Sequence, residues 1–178
     1  MTIMKRLSIF ALLLAGICVP LSLRGADEKK MTVVDYFLRL PADYFEGPPV
    51  DWLMFLKQPK CGVVDVANGY MSSTGDGAQP PFEVSLFRYR DGRPLLAVCL
   101  GELEGAHSLF LDFFEMRTNG KMRKLPRSIF PVIDAGNDEG NWRFELPRHG
   151  RTVLVLSQKS GKILRKVTWA GEKFRDEK

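Results

Sequence analysis

The sequence predicts an α+β fold in which short N-terminal helices pack on a twisted antiparallel β-meander of about seven to nine strands, with room to curl toward a partial barrel. Three observations predict it. Apolar residues recur at helical spacing between Thr32 and Lys57, the period falls toward two after Cys61, and five turn dipeptides divide the rest. At 178 residues and 45% apolar, the chain can bury a real core in one domain and is too apolar to be disordered throughout. No repeating unit of solenoid length is present.

Residues 1–25 read as a secretory signal peptide, leaving 26–178 as a single α+β domain. Lys5 and Arg6 precede an apolar run from Leu7 to Leu23, and small Gly25 and Ala26 precede the charged Asp27-Glu28-Lys29-Lys30. A positive start, an apolar middle and small residues at a cut are what translocation and leader cleavage require. The run carries Pro20 and is short for a membrane-spanning helix, so no span is expected after cleavage. The expected location is secreted or periplasmic.

The helical layer is placed at 32–57. Thr32 caps the run that starts at Val33, and Asp35 puts a negative charge in the first turn. Val33, Phe37 and Leu40 share one face, and Pro41 ends it. A second helical stretch, Val50 to Lys57, carries Trp52, Phe55 and Leu56 as its apolar stripe. Aromatic residues at this spacing form the core side of a helix lying on a sheet.

The antiparallel sheet is placed at 62–169. Asn68-Gly69, Asp91-Gly92, Asn119-Gly120, His149-Gly150 and Ser160-Gly161 stand between apolar runs, as hairpin loops demand where a residue takes positive φ. They delimit strand runs 62–67, 70–73, 82–90, 93–100, 108–117, 121–125, 142–146, 151–157 and 162–169. Leu95 to Leu100 is continuously apolar and should be central, and Ser108–Arg117 is apolar on both alternating faces. Ile163 to Trp169, with Arg165 and Lys166, reads as an edge strand kept soluble by charge.

Export governs the reading of the cysteines. Cys18 leaves with the signal, and Cys61 with Cys99 could then form one disulfide in an oxidising compartment. The other reading makes Cys99 a buried thiol that packs as a small hydrophobe. No CxxC occurs, so no metal site is expected on the cysteines. Asp134, Asn137, Asp138 and Glu139 lie in a long loop, but their spacing lacks the alternation of a calcium-binding loop. No metal or cofactor is assigned.

The net charge of +5 falls to +2 once Lys5, Arg6 and Arg24 leave with the signal, which removes the general case for polyanion binding. What remains is unevenly spread: 26–112 carries −5 and 113–178 carries +7. Arg117, Lys121, Arg123, Lys124 and Arg127 surround the Asn119-Gly120 turn with no acid between Glu115 and Asp134. These five are the candidate binding residues. Nucleic acid is disfavoured as a partner by export and by the lack of exposed aromatics among the cations.

Catalytic motifs are missing from the sequence: no GxSxG elbow, HExxH helix, P-loop or GxGxxG. Three functions are weighed. The first is an exported, non-catalytic domain recognising a protein or an anionic envelope polymer through the basic hairpin. The second is a small-ligand carrier with a concave aromatic face of Tyr70, Phe87, Tyr89, Phe110 and Phe114. The third is a hydrolase built on His107 or His149, or on the pair Glu102 and Glu104. Binding without catalysis is the expected function.

Overall fold

A computed structural model describes residues 30–45, 47–75, 79–102, 105–131 and 142–177. Among the described residues two short helices come first. In α1 (Val33–Phe37) the Thr32 hydroxyl accepts from the Asp35 amide at 3.4 Å while the Thr32 amide donates to the Asp35 carboxylate at 2.7 Å. This reciprocal cap satisfies donors that a helix start otherwise leaves open. α2 (Pro49–Leu56) begins on a proline, whose missing N–H costs nothing in the first turn.

Among the described residues ten strands follow, every pair antiparallel and sequential. β1 (Gly62–Asp65), β2 (Tyr70–Ser73), β3 (Phe82–Arg88), β4 (Pro94–Glu102), β5 (Gly105–Met116) and β6 (Met122–Lys124) form one sheet in chain order. β7 (Trp142–Glu145), β8 (Thr152–Ser157), β9 (Ile163–Trp169) and β10 (Phe174–Asp176) form a second. The expected single sheet over 62–169 is therefore corrected: the meander breaks after β6, and neither sheet closes into a barrel. The cause is burial on two sides. β4 and β5 carry apolar residues on both faces, and the helices cover only one.

Two cores result. Val33, Phe37, Leu40, Trp52 and Leu56 pack on Met71, Phe82, Val84, Leu96, Val98 and Phe114 of the larger sheet. On its other face, Phe87, Leu95, Ala97, Cys99 and Phe113 meet Phe144, Val153, Val155, Val167 and Trp169 of the smaller sheet. Leu95 to Cys99 of β4 are buried on both faces, which is why β4 reads as an unbroken apolar run. Of the predicted α2 stripe, Trp52 and Leu56 are buried, and Leu53 rather than Phe55 completes it.

The turns are finer than the dipeptides imply. Gly69, Gly92, Gly120, Gly150 and Gly161 all have positive φ, whereas the residue before each does not. The glycine alone takes the left-handed position. β9 is also not an edge: β10 pairs along it, Arg175 opposite Thr168, and Arg165 forms an ion pair with Asp176. β10 escaped the sequence reading because only Phe174 of its three residues is buried.

Cys61 and Cys99 are not disulfide-bonded, which corrects the expected pair. Cys61 precedes β1, whereas Cys99 lies on β4 with two strands between. Three interstrand steps of ~4.8 Å separate them by about 14 Å, twice the ~7 Å that a bridge tolerates between Cα atoms.

Candidate functional site

The basic residues gather where β5 turns into β6. Arg117 N–H donates to Lys121 O at 2.9 Å and Gly120 N–H to Arg117 O at 3.0 Å, with Gly120 at φ +75°. Asn119 braces the turn by accepting the Lys121 amide at 3.1 Å. The result is a rigid three-residue loop flanked by two exposed cations.

The five predicted binding residues do not act alike. Strand alternation sends Arg123 and Lys124 to opposite faces of β6. Arg123 pairs with Glu115 directly across the ladder. Lys124 reaches the helix side, where its Nζ donates to Asp112 Oδ2 at 2.7 Å and lies 5.7 Å from the centre of the Tyr44 ring. Among the described residues, Arg117, Lys121 and Arg127 form no ion pair. The sequence reading missed both neutralising carboxylates because they precede the basic run in the chain and meet it only across the hairpin.

Asp112 is the unusual member of this region. It is 6% exposed, in the middle of the apolar run of β5. Tyr44 donates its hydroxyl to the same Oδ2 at 3.0 Å, and Oδ1 is buried without a hydrogen-bond partner among the described residues. Burial first, then the Asp112 charge, pushes the Tyr44 phenol well above its ordinary range, while Arg127 opposes the rise. Tyr44 therefore stays a neutral donor.

Beside the loop lies a groove of about 490 Å³ between residues 38–43 and residues 120–122. Leu38, Pro41, Ala42 and Met122 give it apolar walls, and Arg39, Lys121 and Asp43 give it charge. Met122 N–H donates to Arg39 O at 3.3 Å, so the two walls are joined at the base. Leu38 is 40% exposed, a large aliphatic side chain at the α1 C-cap.

A second cleft of about 250 Å³ opens beside β2, β3 and β7, with Ser72, Glu83, Arg143 and Glu145 among its lining residues. Burial holds the Glu83 carboxyl above its usual range. Both of its oxygens are engaged, by the Tyr70 hydroxyl at 3.0 Å and the Leu146 amide at 2.7 Å. Arg143 and Glu145 pair at 2.7 Å. Through the Leu146 hydrogen bond Glu83 fastens one sheet to the other.

The residues of the other readings are dispersed. Tyr70, Phe87 and Tyr89 lie in the core between the sheets, Phe114 is in the helix-side core, and Phe110 is half exposed. These five aromatics do not line one concave face. His149 is exposed in a turn and hydrogen-bonds to no carboxylate among the described residues. The side chains of His107 and Glu102, all of Glu104, and the loop acids Asp134, Asn137, Asp138 and Glu139 lie outside the described residues, as do residues 1–25. Among the described residues no group of three or more His, Cys, Asp or Glu is placed to hold a metal, and no helix is long and apolar enough to cross a membrane.

No protein-family model, curated protein or solved structure matches the chain.

Proposed function

We propose that this chain is an exported, non-catalytic recognition domain whose contact surface is the β5–β6 hairpin, and that its partner presents negative charge there. One observation carries the reading: Arg117 and Lys121 flank a rigid turn, Arg127 follows on the next 3-10 turn, and all three are exposed and without ion pairs among the described residues. Export rests on the Lys5-Arg6 start and the apolar run to Leu23. Unpaired cations on a fixed scaffold attract anions without first breaking an internal contact.

The pairing of Arg123 and Lys124 divides the hairpin into contributing and neutralised cations, and that division supplies the test. Arg117→Ser/Lys121→Ser/Arg127→Ser is compared with Arg123→Ser, which leaves the Lys124–Asp112 contact in place, for binding to poly-glutamate and to dextran sulfate. The first variant should bind about tenfold more weakly or worse, which is about 1.4 kcal/mol. The second should change binding by much less. Binding of the parent should also fall steeply with salt, since exposed charges are screened over ~10 Å at 0.1 M. Equal loss in both variants, or binding indifferent to salt, overturns the reading.

A further inference from the structure

We infer that the groove beside the hairpin takes an extended acidic peptide segment of a partner protein, with the peptide's carboxylates at Arg39 and Lys121 and an apolar side chain against Leu38 and Ala42. This rests on the recognition reading above and names its ligand class. The groove volume of about 490 Å³ falls within the ~300–1,000 Å³ of clefts that hold ligands.

Two features favour a peptide over a uniformly anionic polymer, and two cations supply its charge complementarity. The accessible apolar wall is Leu38, Pro41 and Ala42, with Met122 buried beneath it, and a sulfated or uronic glycan has no aliphatic side chain to lay there. Water displaced from that surface favours a partner carrying both carboxylates and hydrocarbon. Asp43 also lines the groove, so an evenly charged polymer meets a like charge, whereas a peptide can set a neutral residue opposite it. The cations are placed for complementarity: Arg39 spends one nitrogen on the Asp35 carbonyl at 2.7 Å, and among the described residues neither Arg39 nor Lys121 forms an ion pair.

The structure also says why the occupant needs no rearrangement of the site. Met122 N–H to Arg39 O fixes the base, and the Tyr44–Asp112–Lys124 contacts hold the segment after Pro41 against the sheet. A preformed groove avoids the ordering cost of a mobile one.

The test uses the chain without residues 1–25 if export removes them, otherwise the full chain. Two fluorescein-labelled probes are compared by anisotropy: a short Glu-rich peptide carrying spaced Leu residues, and the same peptide with Ser for Leu. Sodium polygalacturonate serves as the glycan competitor. The Leu peptide should bind about tenfold more tightly than its Ser counterpart. Leu38→Ser should remove most of that difference, Ala42→Trp should block both peptides by filling the groove from an exposed position, and Lys121→Ser should weaken both alike. Circular dichroism of each variant confirms the fold. Equal binding of the two peptides with no effect of Leu38→Ser or Ala42→Trp sinks the groove while leaving the hairpin reading intact. Tighter binding of polygalacturonate than of either peptide makes the ligand a glycan and also overturns the inference. Failure of every anionic probe to bind removes both readings.

Discussion

Lys124, on the edge strand β6, donates to the buried carboxylate of Asp112 at 2.7 Å, although its own side chain is half exposed. The pair is lopsided. Asp112 sits at 7% side-chain exposure beneath Tyr44, so nearly all the desolvation falls on the acid. Oδ1 lies buried without a partner among the described residues, so loss of the lysine leaves the carboxyl with the Tyr44 hydroxyl alone.

Lys124→Met should therefore destabilise the chain by about 1–3 kcal/mol, the cost of leaving a buried polar group less satisfied. Arg123→Ala, which breaks the neighbouring pair with Glu115, should cost at most about 1 kcal/mol because Glu115, at 20% side-chain exposure against 7% for Asp112, keeps some contact with solvent. Urea unfolding of both variants checks the contrast, with the slope unchanged and only the midpoint moved. Equal midpoints would place Asp112 in contact with water.

Glu83 supplies a pH dependence of defined sign. Burial raises its folded pKa above the ordinary 4.5, despite the hydrogen bonds from Leu146 and Tyr70 that pull the other way. The folded chain then binds this proton more tightly than the unfolded chain does. Its contribution to stability is fully present below the unfolded pKa and is lost as pH rises through the folded one. Relative to Glu83→Gln, the parent should lose stability between acid and neutral pH. Urea midpoints of the two proteins across that range should diverge; parallel curves would show that Glu83 titrates normally.

Much of the fold was legible in the sequence because each turn carried its own chemistry. A glycine after Asn68, Asp91, Asn119, His149 or Ser160 marks a left-handed residue wherever it falls, and apolar runs between such marks have to pair with their neighbours. The division into two sheets was not legible. Antiparallel strands in sequence read the same whether the meander continues or folds over, and only three-dimensional burial of both faces of β4 and β5 decides it. The basic hairpin was legible as composition alone. Glu115 and Asp112 neutralise Arg123 and Lys124 through cross-strand register, which depends on where the turn begins. Asp112 did leave one signal: a carboxylate inside Leu-Phe-Leu-Asp-Phe-Phe requires a partner wherever that strand is buried.

The two cysteines should react very differently with a thiol reagent. Cys61 is partly exposed beside the Pro59 carbonyl at 3.8 Å, whereas Cys99 is 0% exposed in the core between the sheets. Under native, non-reducing conditions, iodoacetamide followed by peptide mass spectrometry should find Cys61 modified and Cys99 largely protected until denaturant is added. Recovery of a Cys61–Cys99 linked peptide from native protein would contradict the separation of β1 from β4.

Gly62 and Gly120 should respond to alanine for different reasons. At Gly62, the first residue of β1, a Cβ would lie 2.3 Å from Leu56 Cδ2 and 2.3 Å from the backbone oxygen of Ser72. The side chain of Leu56 could turn away, but the paired strand β2 cannot retreat without breaking the Gly62–Ser73 end of the ladder. Gly62→Ala should therefore cost about 1–3 kcal/mol or more, as overpacking does, and should loosen α2 from the sheet. At Gly120 a Cβ meets nothing within 4 Å, and only the φ of +75° is unfavourable. Gly120→Ala should then cost about 1–2 kcal/mol, the penalty of a left-handed residue, with the damage confined to the hairpin. Hydrogen exchange separates the two cases. Gly62→Ala should speed exchange in α2 and β1, and Gly120→Ala only in the turn and the ends of β5 and β6. Unchanged protection of α2 in Gly62→Ala would mean that Leu56 and β2 yield together, and that the close contact at Gly62 does not hold the helix in place.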